Sequence, residues 1–353
     1  MKICCRKKIN HPKKGLYRVG GVFLRQNIEK IIVHAKEQHA SDIHITLESS
    51  YGLVRFRIKG EMVDYDYIKT SEYNKMINYL KFMADLDINE HRIPQSGKTL
   101  ITHNQESIVV RVSTLPINMM NEVIVIRLLL SENHLKQLEL FHDEKDMKFL
   151  QNYVSKSQGL ILFTGPTGVG KTTLMYQSLT NEIKESKKQI ISIEDPIEYE
   201  SDHMIQVEIN EKTEMNHENI LKGALRCDPD ILLFGEIRSK EVAESLIKAS
   251  LSGHLVLSTF HSKSAIATIE RLKDYGLFKE EIRQSVSLII NQRLIHTENR
   301  SYLIYEHITN DDICQLLDGE YPSYETLNDK VATLYKEKVI DRDVYEKYSN
   351  QFQ

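Results

Sequence analysis

Apolar residues recur at two different periods along this chain, and the change of period divides it. Leu24, Ile28, Ile31, Ile32 and Ala35 fall at helical spacing over 22–39, which predicts an amphipathic helix with one buried face. Ser41 to Leu47 then alternates polar with apolar, and Leu53 to Gly60 alternates again, so two strands paired antiparallel are expected across a Gly-containing loop. A second amphipathic helix is expected over 71–85, through Met76, Ile77, Leu80 and Met83, followed by strands over 107–113 and 122–130. The first region therefore reads as mixed α+β.

From residue 142 the strands stop alternating and become short continuous apolar runs between helices, as in a parallel sheet covered on both faces. We expect strands at 160–164, 189–193, 203–209, 231–235 and 255–259, and helices at 143–156, 171–186, 216–226, 239–251, 264–275 and 278–290. A strand from Tyr302 to Ile308 and charged, Tyr-rich helices complete the sequence. The expected organisation is a tail over 1–20, an α+β domain over 21–130, a linker over 131–141, a P-loop α/β domain over 142–300 and an extension over 301–353.

Composition adds limits. The 353 residues carry 41 % hydrophobic and 27 % charged side chains, as an ordinary globular protein does, and a net charge of -4 argues against nucleic-acid binding over the whole surface. Cys4, Cys5, Cys227 and Cys314 lack metal-ligand spacing, so neither a zinc module nor a disulfide framework is expected, and a reducing cytosol fits. No apolar run approaches the ~20 residues that cross a bilayer. Eight cations precede the first acid, Glu29, giving a basic N-terminus that reads as a solvated tail or as a surface for anionic lipid.

The chemistry is densest at 160–173. An apolar strand leads into Gly165-Pro166-Thr167-Gly168-Val169-Gly170-Lys171-Thr172-Thr173, which is a phosphate-binding loop opening a helix. Glycines let successive N–H groups face a phosphate, the helix N-terminus adds its dipole, Lys171 reaches the outer phosphates and Thr172 is placed to hold Mg²⁺. Three other strands end in polar residues. These are Glu194-Asp195-Pro196-Ile197-Glu198 after 189–193, Gly235-Glu236-Ile237-Arg238 at the end of 231–235, and His261 after 255–259. In open parallel sheets ligands sit beyond the carboxyl ends of the strands. Hydrolysis of Mg-ATP needs an acid for the metal or its waters, a carboxylate for the attacking water and a sensor of the γ-phosphate; Glu236, Glu194 and His261 suit these roles.

These residues resemble the secretion and type IV pilus ATPase superfamily, which includes type II secretion ATPases, pilus assembly and retraction motors, and competence pseudopilus ATPases. Ile193 to Glu198 is similar to its aspartate box, Leu225 to Arg238 to its Walker B segment, and Gly253 to His261 to its histidine box. The stretches Ala40 to Ile45, Val54 to Ile58, Arg92 to Lys98 and Val110 to Pro116 resemble its N-terminal domain. The resemblance implies a PAS-like α+β domain before a RecA-like P-loop domain, in a homohexamer that binds ATP and Mg²⁺. It also implies that Arg111 and Arg127 reach the phosphates, and that a polytopic membrane platform protein is the partner. No direct nucleic-acid contact is expected, and location at the cytoplasmic face of the membrane is.

Three positions, Ser96, Lys98 and Ser239, depart from the family pattern. Gln95-Ser96-Gly97-Lys98 stands where Gln-Asp-Gly-Arg is usual, and Ser239 where Asp is usual. The missing paired CxxC module resembles both the retraction motors and the competence pseudopilus ATPases. Ala40 to Ile45, Val54 to Ile58 and Arg111 to Pro116 look nearer to assembly enzymes, and the divergent 300–353 region resembles the competence ATPases that serve DNA uptake, which are therefore favoured. A retraction motor, a nucleic-acid translocase and a nucleotide-dependent switch or scaffold are the alternatives.

Overall fold

The computed structural model describes residues 22–58, 60–103, 106–118, 121–131, 141, 144–179, 187–209, 217–297 and 300–352. The basic tail, the expected linker at 132–140 and the 180–186 part of an expected helix lie outside them. The chain divides into two compact units between Leu129 and Leu130.

The first unit contains α1 (Val22–Glu37), β1 (Ala40–Leu47), β2 (Tyr51–Ile58), β3 (Glu61–Lys69), α2 (Thr70–Met83), β4 (Gln95–His103), β5 (Glu106–Pro116) and β6 (Glu122–Leu128). Its sheet is wholly antiparallel in the order β3-β2-β1-β6-β5-β4. The expected pairing of the first two strands is present, with Ile43 opposite Phe56. Alternation sends Ile43, Ile45, Val54, Phe56, Val110, Val112, Ile124 and Ile126 into a core with α1 and α2. The same alternation sets Lys98, Arg111, Arg127 and Asp42 in one row on the other face, since they are successive cross-strand partners.

Two strands of this sheet, β3 and β4, were not expected from the pattern. Both are edge strands, with one neighbour each and weak burial, and β3 carries Glu61, Asp64 and Asp66. Charged edges discourage further strand pairing and erase the apolar signal. Gly97 lies in β4 because nothing larger fits: a Cβ there would sit 2.1 Å from the Ala84 carbonyl oxygen.

The second unit opens with β7 (Leu130–Ser131), which pairs with β10 (Tyr199–Glu200). Its main sheet holds β8 (Gly159–Thr164), β9 (Ile190–Glu194), β11 (Ile205–Glu208), β12 (Ile231–Glu236), β13 (Leu255–Phe260), β14 (Val286–His296) and β15 (Ser301–Thr309). The order is β11-β9-β12-β13-β8-β14-β15, parallel except for the β14–β15 hairpin. The helices are α3 (Glu144–Val154), α4 (Lys171–Ser178), α5 (His217–Leu225), α6 (Lys240–Leu251), α7 (Ala265–Asp274), α8 (Lys279–Ser285), α9 (Asn310–Asp318), α10 (Leu327–Lys336) and α11 (Arg342–Gln351). Leu160 and Leu162 enter one core cluster, Ile161 and Phe163 another, so each face of the sheet takes alternate residues. That double burial is why the strand reads as an unbroken apolar run.

The helix expected over 278–290 is corrected: it ends at Ser285, and Val286 to His296 is a strand between β8 and β15. Ile282, Val286, Ile289 and Ile290 fall at helical spacing by coincidence, because a strand buried on both faces has no period of two. The hairpin also carries the sheet past residue 300, where an extension was expected to begin.

Candidate active site

The P-loop joins β8 to α4, and its backbone needs glycine. Gly165, Gly168 and Gly170 have φ of 138°, 81° and 81°. At Gly165 a Cβ would lie 2.7 Å from the Gln292 carbonyl oxygen. Gly170 caps α4 in the left-handed conformation, so Lys171 is the first helical residue. Lys171 is buried, and its Nζ donates to the carbonyls of Gly165 at 3.1 Å and Pro166 at 2.9 Å. Burial lowers the pKa of this ammonium, Arg293 lowers it further, and the carboxylates of Glu236 and Glu198 oppose both.

Of the two threonines that follow, Thr173 is engaged, with its hydroxyl 2.5 Å from that of Tyr199. Pro166, Thr167 and Gly168 are exposed, and the Val169 carbonyl accepts from Gln292 Nε2 at 2.8 Å.

Parallel pairing places the ends of β9, β12, β13 and β8 side by side, which gathers residues far apart in sequence. Register positions Phe234 opposite Ser258 but Glu236 opposite Thr259, so Gly235 is an extra residue, a β-bulge. Phe234 is buried in the core. Strict alternation would send Glu236 to the same face, and the bulge turns it away. Thr259 Oγ1 pins the bulge by donating to the Gly235 carbonyl at 2.6 Å.

So aimed, Glu236 Oε1 lies 2.8 Å from His261 Nε2. The other ring nitrogen, Nδ1, lies 3.2 Å from the Gly165 carbonyl, the same oxygen that accepts from Lys171. Arg238 closes the opposite side, its Nε donating to Glu236 Oε2 at 3.0 Å and its Nη1 to Asp195 Oδ2 at 3.0 Å. A continuous polar chain thus runs from the P-loop through His261, Glu236 and Arg238 to Asp195.

Glu194 stands apart from that chain. It is 2 % exposed, and its Oε1 accepts from the Tyr176 hydroxyl, on α4, at 2.5 Å. Burial pushes its pKa up, and the Tyr176 hydrogen bond only partly offsets this. The neighbouring Asp195, not Glu194, joins the Glu236 cluster through Arg238.

Arg111 and Arg127 belong to the first unit, where they are direct cross-strand neighbours. Arg127 Nε pairs with the buried Asp42 at 2.8 Å, and Arg111 Nε donates to Ser96 Oγ at 2.7 Å. The departure from the family pattern at Ser96 therefore keeps an acceptor for Arg111. The departure at Ser239 is equally mild: Ser239 is the N-cap of α6 and accepts from the Val242 N–H, as Asp also does at that position.

Sequence reasoning missed a brace along β14. Asn291 Nδ2 donates to Thr164 Oγ1 at 2.8 Å and to the Ser262 carbonyl at 3.2 Å. Gln292 holds Val169, and Arg293 Nη2 donates to the Lys263 carbonyl at 2.7 Å. The clue was the polar triplet Asn291-Gln292-Arg293, just beyond the end of the helix expected over 278–290, where no element or role was assigned.

The site fits a nucleoside triphosphate with a hard cation. The loop offers a close-packed glycine at 165, a buried ammonium and the Thr172 hydroxyl, and the end of β12 adds the Glu236 carboxylate, oxygens of the type Mg²⁺ takes alongside phosphates and water.

Comparison with known proteins places the chain in a family. Residues 19–346 match the Type II/IV secretion system protein family. The chain is 39 % identical over 271 residues to the type II secretion system protein E of Pectobacterium carotovorum, covering 76 % of this chain but 54 % of that protein, so it spans about half the relative's length. It is 38 % identical to the competence protein ComGA of Halalkalibacterium halodurans over 267 residues, 75 % of this chain and 76 % of that one. Among solved structures, the pilus retraction motor PilT with bound ADP superposes with a TM-score of 0.67 at 26 % identity, covering 91 % of this chain and 96 % of that one. The DotB ATPase of Legionella pneumophila shares the fold, with a TM-score of 0.72 at 17 % identity over 95 % of this chain and 97 % of that one. With an α/β P-loop fold and a family match over most of its length, the chain belongs to the Type II/IV secretion system protein family.

Proposed function

We propose that this chain is an ATPase of the secretion and pilus motor type. The carrying observation is the convergence of Lys171, His261 and, through His261, Glu236 on the Gly165 carbonyl. The lysine and the histidine stand at the mouth of the glycine loop, where an ammonium and an imidazole can both address a phosphate oxygen, to which charge-assisted hydrogen bonds are stronger than to a carbonyl.

In the reading we favour, Gly165 to Thr173 bind the phosphates and Thr172 and Glu236 hold Mg²⁺, directly or through water. Bound Mg²⁺ supplies charge neutralisation for phosphoryl transfer. His261 senses the γ-phosphate. Asp195 and Arg238 orient Glu236, a task sequence reasoning left unassigned. Glu194 takes the water-positioning role only if its carboxylate leaves Tyr176. For Arg111 and Arg127 we propose contact with the nucleotide phosphates, which suits a guanidinium at developing charge.

Coverage of three quarters of a ComGA competence protein supports a role in competence. In the reading we favour, a hexameric ring acts on a membrane platform protein at the cytoplasmic face of the membrane to assemble a competence pseudopilus. No described helix is long and apolar enough to cross a membrane. The likeness to a pilus retraction motor supports a second reading, retraction.

The test is direct. Purified Lys171→Ala should lose nucleotide binding, and Glu236→Gln should bind nucleotide without turning it over; wild-type turnover by Glu236→Gln sinks the site assignment. Deleting the gene then separates the two motors, since assembly predicts no surface filaments and no DNA uptake, and retraction predicts filaments that accumulate.

A further inference from the structure

Glu306 lies inside β15, 4 % exposed, and its two carboxylate oxygens serve two different helices. Oε1 accepts from the Ala265 N–H at 2.8 Å, and Oε2 from the Leu327 N–H at 3.3 Å. Ala265 and Leu327 are the first residues of α7 and α10, capped by Ser264 and Thr326. One buried carboxyl group therefore meets two helix N-termini, where the first N–H groups lack helical partners and need an acceptor.

The α7 end is tied to the active site. The segment leading into it begins at His261, and its carbonyls are held one after another: His261 by Arg271, Ser262 by Asn291 and Lys263 by Arg293. With three successive carbonyls fastened, a shift at Ala265 has little slack to absorb it before His261. The α10 end belongs to a separate core, in which Leu327, Val331 and Leu334 pack with Ile340 and Tyr348 against Ile295 and Ile304 of the hairpin. Glu306 is a polar link between that core and the histidine segment.

We propose that Glu306 is a positioning residue that makes the placement of His261, and so the rate of hydrolysis, depend on the docking of α10 with α11. The C-terminal helices are then a handle through which a neighbouring subunit or partner tunes turnover. This rests on the ATPase reading above.

Leu327→Pro tests it. Proline is accepted at the first helical position, and Thr326, at φ -81° and ψ 166°, already has the conformation a following proline demands. The substitution removes the N–H that Glu306 accepts. Leu327→Ala removes most of the same buried side chain and keeps the N–H. We expect kcat of Leu327→Pro about tenfold below that of Leu327→Ala, the scale of one hydrogen bond. KM for ATP should be alike in both, and adding Glu306→Gln to Leu327→Pro should cause no further loss.

Equal kcat in the proline and alanine variants, or additive losses in the double variant, overturns the link. Amide hydrogen exchange over 262–266 provides a reading independent of turnover: it should be faster in Leu327→Pro than in Leu327→Ala, and equal rates overturn the proposal even if the chain hydrolyses nothing. Should Leu327→Pro fail to fold, Glu306→Gln, which leaves one acceptor for two donors, must show the lowered kcat and faster exchange relative to wild type; wild-type values in both overturn it.

Discussion

His261 Nε2 and Glu236 Oε1 lie 2.8 Å apart, joining the end of β12 to the segment after β13 directly above the P-loop. Neither residue is fully buried, His261 being 39 % and Glu236 23 % exposed in their side chains, so both remain open to a ligand. His261→Ala should lower kcat by about 10²–10³-fold, as loss of one transition-state donor does elsewhere. Nucleotide affinity should change little, because Lys171 and the loop amides are untouched. Steady-state kinetics beside a fluorescent-nucleotide titration checks this; loss of affinity with kcat preserved contradicts a sensing role.

The bulge at Gly235 gives a second expectation. Thr259→Val is nearly isosteric, yet it removes the hydroxyl that donates to the Gly235 carbonyl. We expect a stability loss of about 1 kcal/mol for the lost hydrogen bond to a half-buried acceptor. A fall in kcat should accompany it as Glu236 loses its aim. Urea unfolding and turnover measured together check the pair, and an unchanged kcat separates the bulge from the chemistry.

Stability should depend on pH through Glu194. Unfolded, this carboxyl titrates near its ordinary value of 4.5; folded, burial keeps its proton to higher pH. Between the two the folded chain binds more protons than the unfolded one, so stability falls as pH rises. Its contribution is complete below the ordinary value and is lost as pH climbs through the raised one. Glu194→Gln should remove this component, making the urea midpoint less sensitive to pH in that window. An identical pH profile in both proteins counts against burial as the cause.

In the first unit, Lys81 and Glu122 form a buried ion pair at 2.6 Å, 0 % and 1 % exposed, and His91 Nδ1 lies 2.7 Å from the same carboxylate oxygen. Lys81→Met leaves Glu122 without its cation in the interior and should cost about 3–5 kcal/mol. Replacing both, with Glu122→Leu added, should recover much of that loss. Denaturant unfolding of the single and double variants measures the coupling, and equal loss in both shows that packing of the lysine stem, not charge, is at stake.

The P-loop was legible in sequence because its chemistry is local. The glycine spacing, the strand before it and the helix after it lie within one short stretch, and backbone conformation there follows from residue type. The central strands were legible for a related reason: burial on both faces demands continuous apolar residues, as in β8 and β12. The edge strands β3 and β4 and the strand β14 were not, since a charged edge lacks the apolar signal and a two-faced core strand imitates a helix.

Sequence by itself determined the P-loop, the strand that leads into it, the central strands β9, β12 and β13, and the residue types available at their ends. Tertiary structure alone decided which of those residues meet. Two adjacent acids of one motif, Glu194 and Asp195, read alike as strand-end carboxylates, yet Glu194 turns to Tyr176 and Asp195 to Arg238. A one-residue bulge at Gly235 selects the face Glu236 presents, and the order β12-β13-β8 brings it to His261 and the P-loop. The reason is physical: side-chain direction in a sheet alternates with register, and register is fixed by pairing between strands distant in sequence.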